Sequence, residues 1–312
     1  MSILDQGRIR LVSWNIEKGK RWRLLEKCLD SESIRTADVL CLNEVDDGMA
    51  RSGNRRIAFE IGERLGMQVV FGAAFREFTK GVGEELTAPG ENTTAIQGNA
   101  ILSRLAILDS KNLSLPKCHD PSRSKEKREG SRRALVVRLD CDGRSLTVAN
   151  THLEVFTTTR CRARQTRFLL EHLPPGPAVI AGDLNTNTFN RGSSIYILQS
   201  IFRFFRRDFK SRVLTPWLYE PLFQEFRDAG FWWEPFNDAV PTCSVDLGTL
   251  EDQKYVPEFI RNRILDRCRV LFLKLDFIAC RGLHALSPGR TITELSCQAS
   301  DHLPITCDLS MG

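Results

Sequence analysis

The sequence predicts a layered α/β or α+β fold, and three observations carry that expectation. Short apolar runs of strand length alternate with segments whose apolar residues recur at helical spacing. Of the 312 residues, 42% are hydrophobic and 27% charged, values of a chain with enough apolar side chains to build a core, not of a disordered one. No internal repeat is visible, and no window approaches the ~18 uninterrupted apolar residues of a membrane-spanning helix.

Taken in order, residues 9–14 (IRLVSW) and 37–42 (ADVLCL) read as strands, because β-branched and aliphatic residues fill them without a helical period. Ile57, Ile61 and Leu65 share one face of a helix, and a strand follows at 67–71. Residues 100–102, 134–139, 146–150 and 178–181 are strand-like. Residues 162–173 read as a helix stopped by Pro174 and Pro175, since proline has no N–H to continue it. Residues 271–280 and 303–309 complete the set as strands. One domain is expected across 1–312. Between these elements, 117–133 is polar and basic and reads as a surface loop.

The ten cysteines contain no C-x-x-C pair, and several lie inside apolar runs. Zinc-ribbon spacing is thereby excluded, and the expectation is buried, reduced thiols without a disulfide framework. Residues 1–10 lack the apolar stretch of a secretory signal, so a cytoplasmic protein is expected.

Several strand ends finish in polar residues of one chemical kind. They are Asn15 with Glu17, Asn43 with Glu44, Asn150 with His152, and Asp183 with Asn185; Asp276 lies inside an apolar strand, and Asp301 with His302 precedes the last one. Any one of them has a structural explanation as a turn or outward-facing residue. Together they resemble a ligand site, because sheet proteins gather their sites at strand ends. Carboxylate and amide oxygens suit a hard cation such as Mg²⁺ (Mn²⁺ as the alternative), and the absence of thiolates from these stretches argues against zinc.

In their order, these stretches resemble the endonuclease/exonuclease/phosphatase superfamily of metal-dependent phosphoesterases. They are W-N-I-E at 14–17, L-N-E-V at 42–45, G-N-A-I-L-S-R at 98–104, N-T-H-L-E at 150–154, G-D-L-N-T at 182–186, L-D-F-I at 275–278 and S-D-H-L-P-I at 300–305. The resemblance implies a four-layer, DNase I-like sandwich: two packed, mainly antiparallel sheets flanked by helices. It implies hydrolysis of a phosphate ester by in-line attack of water. Glu44, Asn15, Asp301 and Glu17 are then expected at the metal. Asp183 is expected to orient and deprotonate the water with help from Asn185, and His152 and His302 to contact the phosphate. Asp276 is expected to orient His302 and keep it cationic, and Asn99 to line the cleft. Glu17 stands where nuclease branches often carry Asp. N-E-V-D around Glu44 differs from the Q-E-T-K of apurinic endonucleases. N-T-H-L-E is closer to branches containing pancreatic-type deoxyribonuclease, neutral sphingomyelinase and deadenylases.

Half of the 26 aromatic residues fall between Arg191 and Phe236, which reads as a helical insertion within the domain. On a helix, Leu198, Phe202, Phe205 and Phe209 share a sector beside Arg203, Arg206, Arg207 and Lys210, giving a basic amphipathic face over 194–212. Its aromatics could pack on the main fold, stack nucleic-acid bases, or rest on an anionic membrane surface. The function expected first is a Mg²⁺-dependent phosphodiesterase acting on nucleic acid. A phospholipid head-group phosphodiesterase or small-molecule phosphatase is the alternative, and an inactive binding module comes last because Asp183, Asn185, Asp301 and His302 are all present. A monomer is expected.

Overall fold

The computed structural model describes residues 7–118, 120–121, 126–155, 157–186, 205–247, 258–295 and 299–312. In chain order these form β1 (Arg8–Asn15), α1 (Trp22–Leu29), α2 (Glu32–Arg35), β2 (Val39–Asp47), α3 (Ile57–Leu65), β3 (Gln68–Glu77), β4 (Ile96–Ser103) and β5 (Ile107–Ser114). There follow β6 (Arg128–Gly130), β7 (Arg133–Cys141), β8 (Arg144–Thr151), α4 (Thr159–His172) and β9 (Ala178–Asp183). The last third holds α5 (Phe209–Leu214), α6 (Leu222–Asp228), β10 (Cys243–Asp246), α7 (Glu258–Arg267), β11 (Val270–Leu273), β12 (Asp276–Arg281), β13 (His284–Ala285), β14 (Arg290–Thr291) and β15 (Ile305–Ser310).

Two sheets dominate. The first has the order β13-β15-β1-β2-β4-β3-β6, with β14 also on β15; the second runs β12-β9-β8-β7-β5. Among the described residues, only β1 with β2 and β8 with β9 pair in parallel. The central strands β1, β2, β4, β9 and β12 bury both faces, which is why the sequence shows apolar runs there in place of clean alternation. Ile9 and Leu11 of β1 meet Val148 of β8 and Val179 of β9 between the sheets. Val12 and Trp14 face outward onto α1 and α3, against Leu25, Leu29, Ile57 and Ile61. On the far side, Ile180 and Phe277 pack under α4 and α6. Helix, sheet, sheet and helix form the expected four layers. No helix among the described residues is long and apolar enough to cross a membrane.

Four sequence readings change. Residues 271–280 are two strands, not one: β11 pairs with β10, then β12 joins the second sheet. The Thr242 hydroxyl accepts hydrogen bonds from the Leu275 and Asp276 amides, at 3.0 and 3.1 Å, and diverts the chain between them. Part of the basic 117–133 segment is ordered, because Arg128–Gly130 pairs with β3 as the edge strand β6. Cys118 and Cys161 form a disulfide, so these two are not reduced thiols. Residues 205–208 are turn, so no single helix runs through Phe205 and Phe209; residues 191–204 of the expected amphipathic helix lie outside the described residues.

The described part of the aromatic segment mostly packs inward. Phe223 lies 5.0 Å from Phe277 and 4.7 Å from Trp233 between ring centroids, and Phe226, Phe231 and Trp233 are buried. Arg206 and Arg212 both pair with Asp208. A buried ion pair ties the segment to α4: Arg162 Nη2 donates to Glu220 Oε1 at 2.6 Å, with neither side chain reaching solvent.

Removing one partner of that pair strands the other charge. Arg162→Met should therefore cost about 3–5 kcal/mol, while Arg162→Met with Glu220→Leu should recover most of it. Urea unfolding of the three proteins checks this. A single variant as stable as the parent would show that the pair does not anchor the segment.

Candidate active site

The polar strand ends meet at one edge of the sandwich, around Asp183 at the end of β9. Its amide donates to Asn43 Oδ1 at 2.9 Å. Its Oδ2 accepts from Asn15 Nδ2 at 3.1 Å, and its Oδ1 accepts from the Asn185 amide at 2.9 Å. Gly182 is required just before it, with φ at +135°, because a Cβ there would collide with the Thr151 carbonyl and crowd Asn43. Asn185 has φ at +49° and its side-chain amide donates to the Leu153 carbonyl at 3.0 Å.

Asn43 joins the two sheets behind this centre. Its amide nitrogen donates to Asn99 Oδ1 at 3.0 Å and to Asn150 Oδ1 at 2.8 Å. Asn150 in turn donates to the Leu42 and Ala100 carbonyls, and Asn99 to that of Arg133. The pairing of β2 with β4 shifts register between Leu42 and Val45. Glu44 sits in that irregularity with φ at +51°, and so its side chain leaves the buried strand for the cleft.

Two histidines flank Asp183. His152 Nε2 lies 3.5 Å from Asp183 Oδ2, and its Nδ1 lies 4.0 Å from Glu44 Oε1. Burial, then Arg132 and His302, holds the His152 imidazole well below its usual range, so it is neutral. His302 is the opposite case. Its Nδ1 is 2.7 Å from Asp276 Oδ2, and its Nε2 is 3.8 Å from Asp183 Oδ2. Burial opposes its charge, but Cys243 and Asp276 hold it well above the ordinary value. Burial also pushes the Cys243 thiol up and keeps it neutral, so the standing counter-charge is the Asp276 carboxylate. The backbone of this corner is fixed by Trp14 Nε1 donating to the His302 carbonyl at 2.9 Å and by Ser300 Oγ donating to the Asn15 carbonyl at 2.7 Å. Burial pushes the Asp183 carboxyl up; His302 pulls it back and Asp276 pushes it further.

The remaining acids converge on the other side of Asn15. Burial raises the Asp301 carboxyl; His302 opposes this, while Glu17 and Glu44 add to it, as expected of carboxylates sharing a small space. Glu17 Oε2 accepts from the Asp301 amide at 3.2 Å, and the Glu17 carboxylate pairs with Lys20 at 2.9 Å and with Arg21. Burial opposes the Glu17 charge, and Lys20 and Arg21 outweigh it and hold the group below its usual range. Glu17 is thus the least open of the four expected metal contacts. Glu44, Asp301 and the Asn15 amide oxygen are hard donors with mutual carboxylate repulsion, and they fit a divalent cation of the Mg²⁺ type.

All ten residues singled out by sequence therefore line or support one cleft. Sequence reasoning missed Thr242, Cys243, Ser300 and Arg132. Arg132 lines the cleft with Glu44, Asn99 and His152. Its only signal was membership of a basic stretch. His172 stacks on Phe168 at 4.1 Å and His284 is exposed in β13, both outside the site; His119 lies outside the described residues.

Residues 12–245 match the model of the Endonuclease/Exonuclease/phosphatase family. Asp276 and His302 lie beyond that stretch, yet the fold returns them to it. No curated protein sequence matches the chain. Among solved structures, an endonuclease/exonuclease/phosphatase from Beutenbergia cavernae is 19% identical with a TM-score of 0.59, over 98% of this chain and 72% of that one. The human Nocturnin catalytic domain with bound sulfate is 21% identical with a TM-score of 0.52, over 98% and 94%. D. rerio TDP2 complexed with a single-strand DNA product is 16% identical with a TM-score of 0.52, over 97% and 99%. At these identities the likeness is one of fold.

Asp276→Asn should lower the His302 pKa, read by NMR titration of the ring. A raised histidine pKa stabilises the fold in full below the unfolded value of about 6.5, and that share is lost as pH rises through the folded value. Urea midpoints of the parent should therefore decline across that window, and those of the variant should decline less. An unchanged His302 titration would remove Asp276 as its counter-charge.

Proposed function

This chain belongs to the endonuclease/exonuclease/phosphatase family, whose members hydrolyse phosphate esters, and from that premise we propose that it is a divalent-metal-dependent phosphodiesterase acting on nucleic acid. The observation that carries the reading is the setting of Asp183: a buried carboxylate oriented by Asn15 and Asn185, between a neutral and a cationic histidine.

Asp183 Oδ2 accepts the proton of the attacking water, and the new P–O bond forms as the ester oxygen departs on the opposite side. Its raised basicity serves this role, because a base works best with a pKa near the working pH. Asn15 Nδ2 and the Asn185 amide fix the carboxylate so that it points one lone pair at the water. His302, held through Nδ1 by Asp276 and hydrogen-bonded to Cys243, turns its Nε2–H to a phosphoryl oxygen as negative charge builds there. His152, uncharged, donates or accepts without adding to the charge around Asp183. Glu44, Asp301 and Asn15 would hold a divalent cation, which when bound would supply Lewis-acid polarisation of the phosphoryl group and charge neutralisation at the leaving oxygen.

That the Nocturnin domain of similar fold carries a bound sulfate and the TDP2 of similar fold a single-strand DNA product supports a phosphate-like anion and a nucleic-acid strand as ligands here. The membrane reading rests on 194–212, most of which lies outside the described residues, and the buried Phe223, Phe226, Phe231 and Trp233 lend it no support.

With Mg²⁺ the protein should cleave bis-p-nitrophenyl phosphate and oligonucleotides, and chelator should stop it. Asp183→Ala and His302→Ala should each lose at least ~10²-fold in kcat/KM. Parallel assays on p-nitrophenyl phosphate, DNA, RNA and sphingomyelin separate the substrate classes. An Asp183→Ala protein as active as the parent would overturn the mechanism, and turnover of sphingomyelin alone would overturn the substrate.

A further inference from the structure

We propose that Arg132 is an anion receptor on the second wall of the cleft, taking phosphate oxygens of the substrate beside His152. The proposal rests on the phosphoesterase reading for its choice of ligand. Its evidence is the geometry of one side chain that the mechanism above does not use.

Arg132 is 8% exposed, and its Nε is buried without a hydrogen-bond partner. Among the described residues its one ion-pair partner is Glu154, whose Oε1 lies 3.7 Å from Nε and also accepts from the Val155 amide at 3.1 Å. A buried guanidinium ordinarily spends its five donors within the fold, because each unsatisfied one costs desolvation energy. The neighbouring Arg128 also leaves its Nε without a hydrogen-bond partner, but it places Nη1 among three acceptors. Arg128 Nη1 reaches Gln97 Oε1 at 3.1 Å, Glu126 at 3.3 Å and Glu77 at 3.6 Å, and its guanidinium lies 3.9 Å from the Phe75 ring centroid. Arg132 lies 5.5 Å from the same ring, which orients it without satisfying its donors.

Its backbone is pinned. The Arg132 carbonyl accepts from the Leu115 amide at 3.0 Å, and Ser131 donates to the Ala74 carbonyl at 3.2 Å. The result is a planar fork held in a cleft whose other walls are Glu44, Phe75, Gln97, Asn99 and His152. A guanidinium matches two oxygens of a phosphate at once, which an ammonium does not. A cation supplied from this wall also lets the neutral His152 sit beside a phosphate without leaving that end of the cleft uncharged.

The test uses the whole protein and two variants, Arg132→Gln and Arg132→Lys. Three quantities are read: the Kd for inorganic phosphate by calorimetry, KM and kcat for bis-p-nitrophenyl phosphate, and Tm. Arg132→Gln should weaken phosphate binding and raise KM by at least ~10-fold, the size of a lost charge-assisted contact, with kcat changed less. Tm separates lost binding from lost folding, because the change also takes the ion-pair partner from buried Glu154. Arg132→Lys keeps the charge but loses the fork, and should recover only part of the affinity; it carries the test if the glutamine variant does not fold. Phosphate binding and KM equal to the parent's in either variant would overturn the proposal. The two readings fail separately. An active parent with an indifferent Arg132→Gln removes the receptor alone. An inactive parent that still binds phosphate through Arg132 removes the phosphoesterase reading alone.

Discussion

The site depends on one asparagine. Two sheets whose inner faces are apolar can slide or splay at their polar ends unless something there has both donors and acceptors to share. Asn43 does this in the interior: its amide nitrogen binds Asn99 from its own sheet and Asn150 from the other, and its oxygen takes the Asp183 amide. The same residue occupies the irregular step in β2 that turns Glu44 out of the sheet. Satisfying a buried amide completely is what makes such a network specific instead of costly. Asp183 and Glu44 are thus set relative to each other by one planar group.

Around that fixed point, the two histidines show how environment assigns charge. His152 and His302 are both buried and both near Asp183. Burial alone would neutralise both. His302 keeps its proton because Asp276 is 2.7 Å away, whereas His152 faces arginines and loses its own. One imidazole can then stabilise charge and the other can hydrogen-bond without it, a division of labour that identical side chains acquire only from their neighbours.

Much of this was legible in the sequence, for a physical reason. Strands that bury both faces announce themselves as apolar runs, and polar residues at their ends stand out against them, so Asn15, Asp183 and His302 were found. What stayed hidden depends on partners distant in the chain. Thr242 breaks the 271–280 run through a hydroxyl more than thirty positions away in sequence, at separations of 33 and 34. The Cys118–Cys161 bond spans 43 residues without a spacing motif. Arg132 looked like one more base in a polar loop, because its burial comes from β6 pairing at the edge of a sheet. The inward packing of Phe223 and Trp233 depends on Phe277, a strand residue distant in the chain.

The pairing of β1 with β15 bears on how the molecule comes into being. Arg8 lies opposite Ser310, and the corner holding Asn15 is closed by Ser300 and His302. β1 finds its neighbour β2 soon after it in the sequence, but its other neighbour, β15, lies far later in the chain. Contacts of such long range are slow to form, because loop closure is costly before any reward arrives. A nascent chain therefore carries Asp183 and His152 for some time without His302 beside them. Until β15 pairs with β1, the cluster around Asp183 is incomplete, so its assembly depends on the longest-range pairing of the first sheet.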